Sequence, residues 1–124
     1  MTVPFVARLL AEHGAEVIKV AWGARLAPCG SFPRSSGTSS PNVGALWNLV
    51  NASKRSVTLD LNQPRARAFV RSLVQLSDVV IDDFGVDPLP RWGLTPLGLR
   101  ALRPDLILAR SSVYVRSGLL SGMP

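Results

Sequence analysis

The sequence has one cysteine and one histidine among 124 residues, and these shortages exclude several kinds of protein. Because Cys29 cannot form an intrachain disulfide, the sequence favours a reducing cytoplasm over a secreted setting. His13 has no further ligand at metal-binding spacing, so we expect no metal site. A Ser-His-acid triad would need His13 as its base, yet no Gly-x-Ser-x-Gly turn is present to carry the serine.

Long apolar runs and targeting segments are also missing. No apolar run is long enough to span a bilayer, and the first residues form neither the basic nor the apolar part of a signal peptide. Aromatic residues make up only 6% of the chain, and no basic stripe alternates with them. The net charge of +6 therefore favours a polyanionic small ligand, such as a phosphorylated cofactor, and a nucleic-acid binder is the weaker alternative.

What the sequence does contain is an alternation of helical and strand patterns, typical of one α/β domain over residues 1–124. Apolar stripes predict helices at 4–13, 42–50, 63–76 and 96–102. Short β-branched and alternating runs predict strands at 15–21, 56–61, 78–82 and 105–110. Gly14 is placed to end the first helix, while Asn62 and Thr95 are placed as N-caps. Strands that alternate with helices predict a Rossmann-like parallel sheet with helices on both faces.

The predicted sheet is incomplete at both ends. A parallel βαβ unit needs a strand before its first helix, and the three residues before Pro4 cannot supply one. The Gly/Ser-rich tail to Pro124 adds no closing element. We therefore expect a partial domain whose first strand and C-terminal part are missing. A remnant without function or stable fold is one alternative, since small domains bury little apolar surface.

The stretch from Asn51 to Leu61 places two adjacent cations, Lys54 and Arg55, directly before a predicted strand. Such a pair suits an anionic ligand, because Arg offers a planar fork of donors and Lys a mobile point charge. Solvated surface cations are the alternative, since both residue types are mostly exposed. A second cluster is acidic and could hold a metal or act as an acid/base group, although such residues more commonly end strands and cap turns: Asp78, Asp82, Asp83 and Asp87.

Three segments resemble, in the same order, the N-terminal part of the class III CoA-transferases, a family that includes the α-methylacyl-CoA racemases. The segments are LLAEHGAEVIKV, NASKRSVTLDLNQPRARAFVRSLVQLSDVVIDDFGVDPLPRWGL and LRALRPDLILARSSVY. The likeness runs from about Pro4 to Gly118. It implies a Rossmann-like domain that binds coenzyme A or acyl-CoA without a metal. It also implies a homodimer; association with a full-length paralogue is a separate alternative.

The resemblance assigns seven positions to the binding of CoA. Three match the family's KRS word beside the nucleotide, three match a turn against the CoA, and one matches an arginine that helps to hold the phosphates. In that order they are Lys54, Arg55 and Ser56, then Asp83, Phe84 and Gly85, then Arg91. Asp83 replaces the family's asparagine, and its charge would repel a phosphate.

The reaction implied by the resemblance moves CoA between carboxylic acids through an aspartate-acyl anhydride. The family's aspartate nucleophile lies downstream of the matched segments, so we assign no catalytic residue and expect the chain to be inactive alone. One alternative is a racemase-type fragment, which would serve exchange of the proton beside the thioester carbonyl. Another is a non-enzymatic partner that docks on a full-length paralogue.

Overall fold

Helices and strands alternate along the chain in the predicted order. The structure, a computed structural model, describes residues 2–21, 45–82 and 89–111. Its elements are α1 (Thr2–Glu12), β1 (Ile18–Ala21), α2 (Ala45–Asn51), β2 (Arg55–Thr58), α3 (Pro64–Leu76), β3 (Val79–Asp82), a 3₁₀ helix (Leu89–Trp92), α4 (Pro96–Leu102) and β4 (Ile107–Arg110). No helix within these ranges has the length and apolar character that crossing a membrane requires.

The four described strands pair in parallel, two and two. β1 lies beside β2 with Ile18 opposite Arg55, and β3 lies beside β4 with Val79 opposite Ile107. Parallel pairing across helical connections confirms the predicted α/β class. The chain divides into two compact units, Met1–Asp60 and Leu61–Pro124, and each of them contains one strand pair.

The turn after α1 shows why β1 is shorter than predicted. Gly14 has a φ of +95°, the left-handed conformation that glycine adopts without steric cost. The backbone N–H of Ala15 donates to the carbonyl of Leu10 at 3.0 Å, and that of Gly14 donates to Ala11 at 3.1 Å. This Schellman-type ending confirms Gly14 as the helix stop and uses residues that the sequence pattern had assigned to the strand.

The sequence predicts the N-cap of α4 correctly but not the N-cap of α3. Thr95 caps α4 as predicted, because its hydroxyl accepts from the backbone N–H of Gly98 at 3.1 Å. The prediction of Asn62 as the cap of α3 is wrong, since Gln63 occupies that position without a side-chain capping bond. The reason is Pro64, which begins the helix and restricts the preceding residue to extended backbone.

The buried apolar side chains of the described residues lie mostly in the second unit. Seven of them belong to it: Leu61, Val74, Leu89, Trp92, Leu94, Leu99 and Leu106. In the described part of the first unit the buried apolar residue is Val50, and α1 buries none of its side chains. Among the described residues, hydrophobic burial therefore contributes more to the second unit than to the first.

A buried ion pair joins the carboxyl ends of β3 and β4. Arg110 donates from Nε to Oδ2 of Asp82 at 2.5 Å, and their side chains are only 12% and 5% exposed. The two residues are opposite each other in the strand register. A second pair joins Arg103, at the end of α4, to Asp78, just before β3, and leaves the aspartate side chain 84% exposed. Both acids thus meet arginines, and no metal-binding group of three is found among the described residues.

We expect Arg110→Met to lower the free energy of unfolding by about 3–5 kcal/mol, because it leaves the Asp82 carboxylate buried without its cation. Arg103→Met is the matched control and should cost at most about 1 kcal/mol, since its partner is solvated. Urea unfolding followed by circular dichroism measures both values. Equal losses for the two variants would contradict the importance of burial at this pair.

Candidate functional site

Lys54 follows the end of α2 and is half-buried in the first unit. Its Nζ donates to the backbone carbonyls of Pro4 and Val50, both at 2.7 Å, and to Oδ1 of Asn51 at 3.4 Å. An ammonium has three donors, so these oxygens account for its full donor capacity. The carbonyl of Val50 lies in the last turn of α2, where a cation satisfies an orphan acceptor. Lys54 therefore ties two helices together just before β2 begins.

Arg55 is the first residue of β2 and points into solvent. Its Nη1 lies 2.7 Å from Oε1 of Glu16, and the two side chains are 79% and 63% exposed. An exposed pair of this kind contributes about 1 kcal/mol at most, so the guanidinium can exchange one anion for another at little cost. Ser56 follows in β2, is exposed and lies opposite Lys19 in the strand register.

Arg91 lies in the second unit on the 3₁₀ helix, between two buried anchors. Leu89 and Trp92 are 7% and 5% exposed, while Arg91 itself is exposed. The turn closes where the N–H of Leu94 donates to the carbonyl of Leu89 at 2.9 Å. Buried neighbours on either side fix the backbone of Arg91 and leave its side chain in solvent.

A cavity of about 700 Å³ lies between this 3₁₀ helix and α3. Its volume falls in the range of about 300–1,000 Å³ that is usual for small-molecule sites. Three arginines line it, Arg91 from the 3₁₀ helix and Arg67 and Arg71 from α3, and no acidic residue belongs to the lining. Of the ion pairs found among the described residues, none involves these three arginines.

Arg71 is held against the turn that follows the 3₁₀ helix. Its Nη2 donates to the carbonyl of Gly93 at 3.4 Å. Gly93 has a φ of +69°, and a Cβ at this position would lie 2.8 Å from the same nitrogen. Glycine suits this position because the backbone is left-handed, whereas the nearby guanidinium is the mobile end of a long side chain and could shift to admit a Cβ.

The arginine pair on α3 is electrostatically unfavourable without a ligand. Arg67 and Arg71 are four residues apart, so both lie on one helix face. Like charges at this spacing destabilise an isolated helix by about 0.2–0.5 kcal/mol. A phosphate or carboxylate in the cavity would neutralise them through charge-assisted hydrogen bonds. The arrangement is therefore suited to binding an anion.

The seven sequence-predicted positions are distributed over different parts of the chain. Lys54, Arg55 and Ser56 are adjacent in the first unit, whereas Arg91 lies in the second. The predicted turn of Asp83, Phe84 and Gly85 lies outside the described residues. Sequence reasoning did not assign Arg67 or Arg71 to a site. The sequence feature that could have identified them is a pair of like charges four residues apart, on a predicted helix with no acidic residue in its first turn.

Comparison with known proteins gives one consistent family. The model of CoA-transferase family III matches residues 1–124. The chain is 36% identical over 115 residues to the succinyl-CoA–D-citramalate CoA-transferase of Chloroflexus aurantiacus, which covers 93% of this chain and 28% of that protein. It is 34% identical to the succinate–glutarate CoA-transferase of Agrobacterium fabrum, covering 93% and 30% of the two chains. The chain thus spans less than a third of the length of these curated relatives.

The fold comparison agrees with this result. The crystal structure of Rv3272 from M. tuberculosis superposes with a TM-score of 0.83 and 30% sequence identity. That match covers 98% of this chain and 33% of the other. With 30% identity and a TM-score of 0.83, the two chains are similar both in sequence and in the arrangement of their helices and strands.

We expect Lys54→Met to lower the free energy of unfolding by about 1.5–3 kcal/mol, because hydrogen bonds from a charged group to two backbone carbonyls are lost. Arg55→Met, its neighbour in the sequence, is the control and should change stability by at most about 1 kcal/mol. Thermal unfolding followed by circular dichroism compares them. A loss for Arg55→Met as large as that for Lys54→Met would contradict the structural role of the Lys54 ammonium.

Proposed function

The chain belongs to CoA-transferase family III, and from that premise we propose that it forms the CoA-binding part of an acyl-CoA transferase. The reaction is the movement of CoA from one carboxylic acid to another. The two relatives named above support this proposal, since both are CoA-transferases whose names include succinyl-CoA or succinate.

The observation that carries the proposal is the position of Arg91 in the arginine-lined cavity. Coenzyme A carries a 3′-phosphate and a diphosphate, and these groups need charge-assisted donors. Arg91 is the residue that matches the family's phosphate-binding arginine. Its guanidinium lines a concave surface with two further cations, which is the environment that a phosphorylated nucleotide requires.

The KRS positions contribute to the proposed CoA surface in different ways. Arg55 contributes a guanidinium whose exposed pairing with Glu16 is weak enough to be replaced by a phosphate. Ser56 contributes a hydroxyl beside it. Lys54 fixes the backbone before β2, because its donors are engaged by carbonyl and amide oxygens. The turn of Asp83, Phe84 and Gly85 completes the proposed set.

Acyl transfer in this proposal requires a carboxylate that attacks the thioester carbonyl, which forms a mixed anhydride and releases CoA as its thiolate. We assign no residue of this chain to that step. Asp82 is buried against Arg110, which makes it a structural carboxylate rather than an accessible nucleophile. The chain's own part is therefore to bind and orient the CoA moiety. The single cysteine supports a cytoplasmic location for the protein.

We expect Arg91→Gln to weaken the binding of CoA about tenfold or more, because a hydrogen bond to a charged group contributes about 1.5–3 kcal/mol. Isothermal titration with CoA measures the dissociation constant. Arg100→Gln is the control, since Arg100 is an exposed arginine of α4 that does not line the cavity. An absence of binding to the wild-type chain at millimolar CoA would overturn the proposed function, and so would equal affinities for the two variants.

A further inference from the structure

We propose that Arg67 and Arg71 bind the 3′-phosphate of the CoA nucleotide together with Arg91. This inference rests on the proposed function, which supplies CoA as the ligand, and it adds two residues that the family resemblance did not assign. It starts from the cavity, because the three guanidiniums line one concave surface although they come from separate elements.

The first support is the charge at the start of α3. The first turn of this helix contains Arg65 and Arg67, has no acidic residue and is not capped by the side chain of Gln63. The positive end of a helix dipole disfavours cations and favours anions. The sequence thus places cations where the helix itself repels them. An anion bound beside Arg67 would be attracted by the helix end and by the guanidinium together.

The second support is the contact between Arg71 and the turn that follows the 3₁₀ helix. Gly93 lets the guanidinium lie against the backbone turn, and its carbonyl accepts one hydrogen bond from Nη2. A guanidinium has five donors, so Arg71 can bind Gly93 and an anion at the same time. Since the same turn carries Arg91, the contact with Gly93 links the α3 pair to the residue that the proposed function already uses.

The third support is the chemistry of the remaining lining. Apolar side chains also line the cavity next to the arginines. They include those of Pro64, Pro90, Trp92 and Leu102. A ligand that fits this surface has an apolar, ring-containing part and a compact anionic group. The 3′-phosphate of CoA is a terminal monoester with a charge of about −1.5 to −2 and three acceptor oxygens, and it is attached to a nucleoside. It matches three guanidiniums better than a single negative charge would.

The test compares CoA with 3′-dephospho-CoA, which differ only in this phosphate. Isothermal titration is carried out on the wild-type chain, on the double variant Arg67→Gln, Arg71→Gln, and on Arg65→Gln. Arg65 is the matched control, since it is an exposed arginine of the same helix that does not line the cavity. Each variant is first checked for a thermal transition like that of the wild type. Single variants at 67 and 71 replace the double variant if it does not fold.

We expect the wild type and Arg65→Gln to prefer CoA over 3′-dephospho-CoA by about tenfold or more. The double variant should lose that preference while binding 3′-dephospho-CoA within about twofold of the wild type, because only contacts to the 3′-phosphate are removed. Arg67→Lys, Arg71→Lys should recover part of the preference. A double variant that keeps the full preference would overturn this inference and leave the proposed function standing. A wild type that does not bind CoA would overturn both.

Discussion

The Lys54 ammonium is the contact on which the geometry of the first unit depends. It joins the carbonyl of Pro4, fifty residues away in the sequence, to the carbonyl of Val50 in α2. Val50 is the buried apolar residue in the described part of that unit, so hydrophobic burial alone gives little constraint on how α1, α2 and β2 lie together. The ammonium supplies that constraint and fixes the start of β2, from which the parallel pairing with β1 continues.

A second lysine stabilises the same unit in a related way. Lys19, in β1, places its Nζ 3.1 Å from the centroid of the Trp47 ring in α2. A cation over the face of tryptophan is attracted by the ring quadrupole, and the attraction grows as water is excluded. Both lysines of the first unit are therefore structural cations: Lys54 links α1 to α2, and Lys19 links β1 to α2. Arginines in the second unit have a different environment, because Arg67, Arg71 and Arg91 line an open concave surface.

This contrast explains how far the sequence could predict the site. The α/β alternation, the Gly14 stop and the Thr95 cap depend on local patterns, and all three were predictable for that reason. The fixed words of the family were also local, and they identified it. The Lys54 ammonium donates to the carbonyl of Pro4, which is fifty residues away in the sequence. No local sequence pattern could predict that Lys54 makes this contact and not a contact with a ligand. Arg67 and Arg71 likewise line the cavity only because α3 packs beside the 3₁₀ helix.

The structure shows where part of the chain's positive charge lies. A net charge of +6 is by itself compatible with a nucleic-acid surface, a polyanionic ligand or a merely soluble protein. Among the described residues, Arg8, Arg55, Arg103 and Arg110 each pair with a carboxylate, which reduces the positive field around them, although another anion can replace Glu16 at the exposed Arg55 pair. The three arginines of the cavity lie together without an acid in its lining. Because concave surfaces lined by one sign of charge concentrate the field, this cavity would attract a small polyanion.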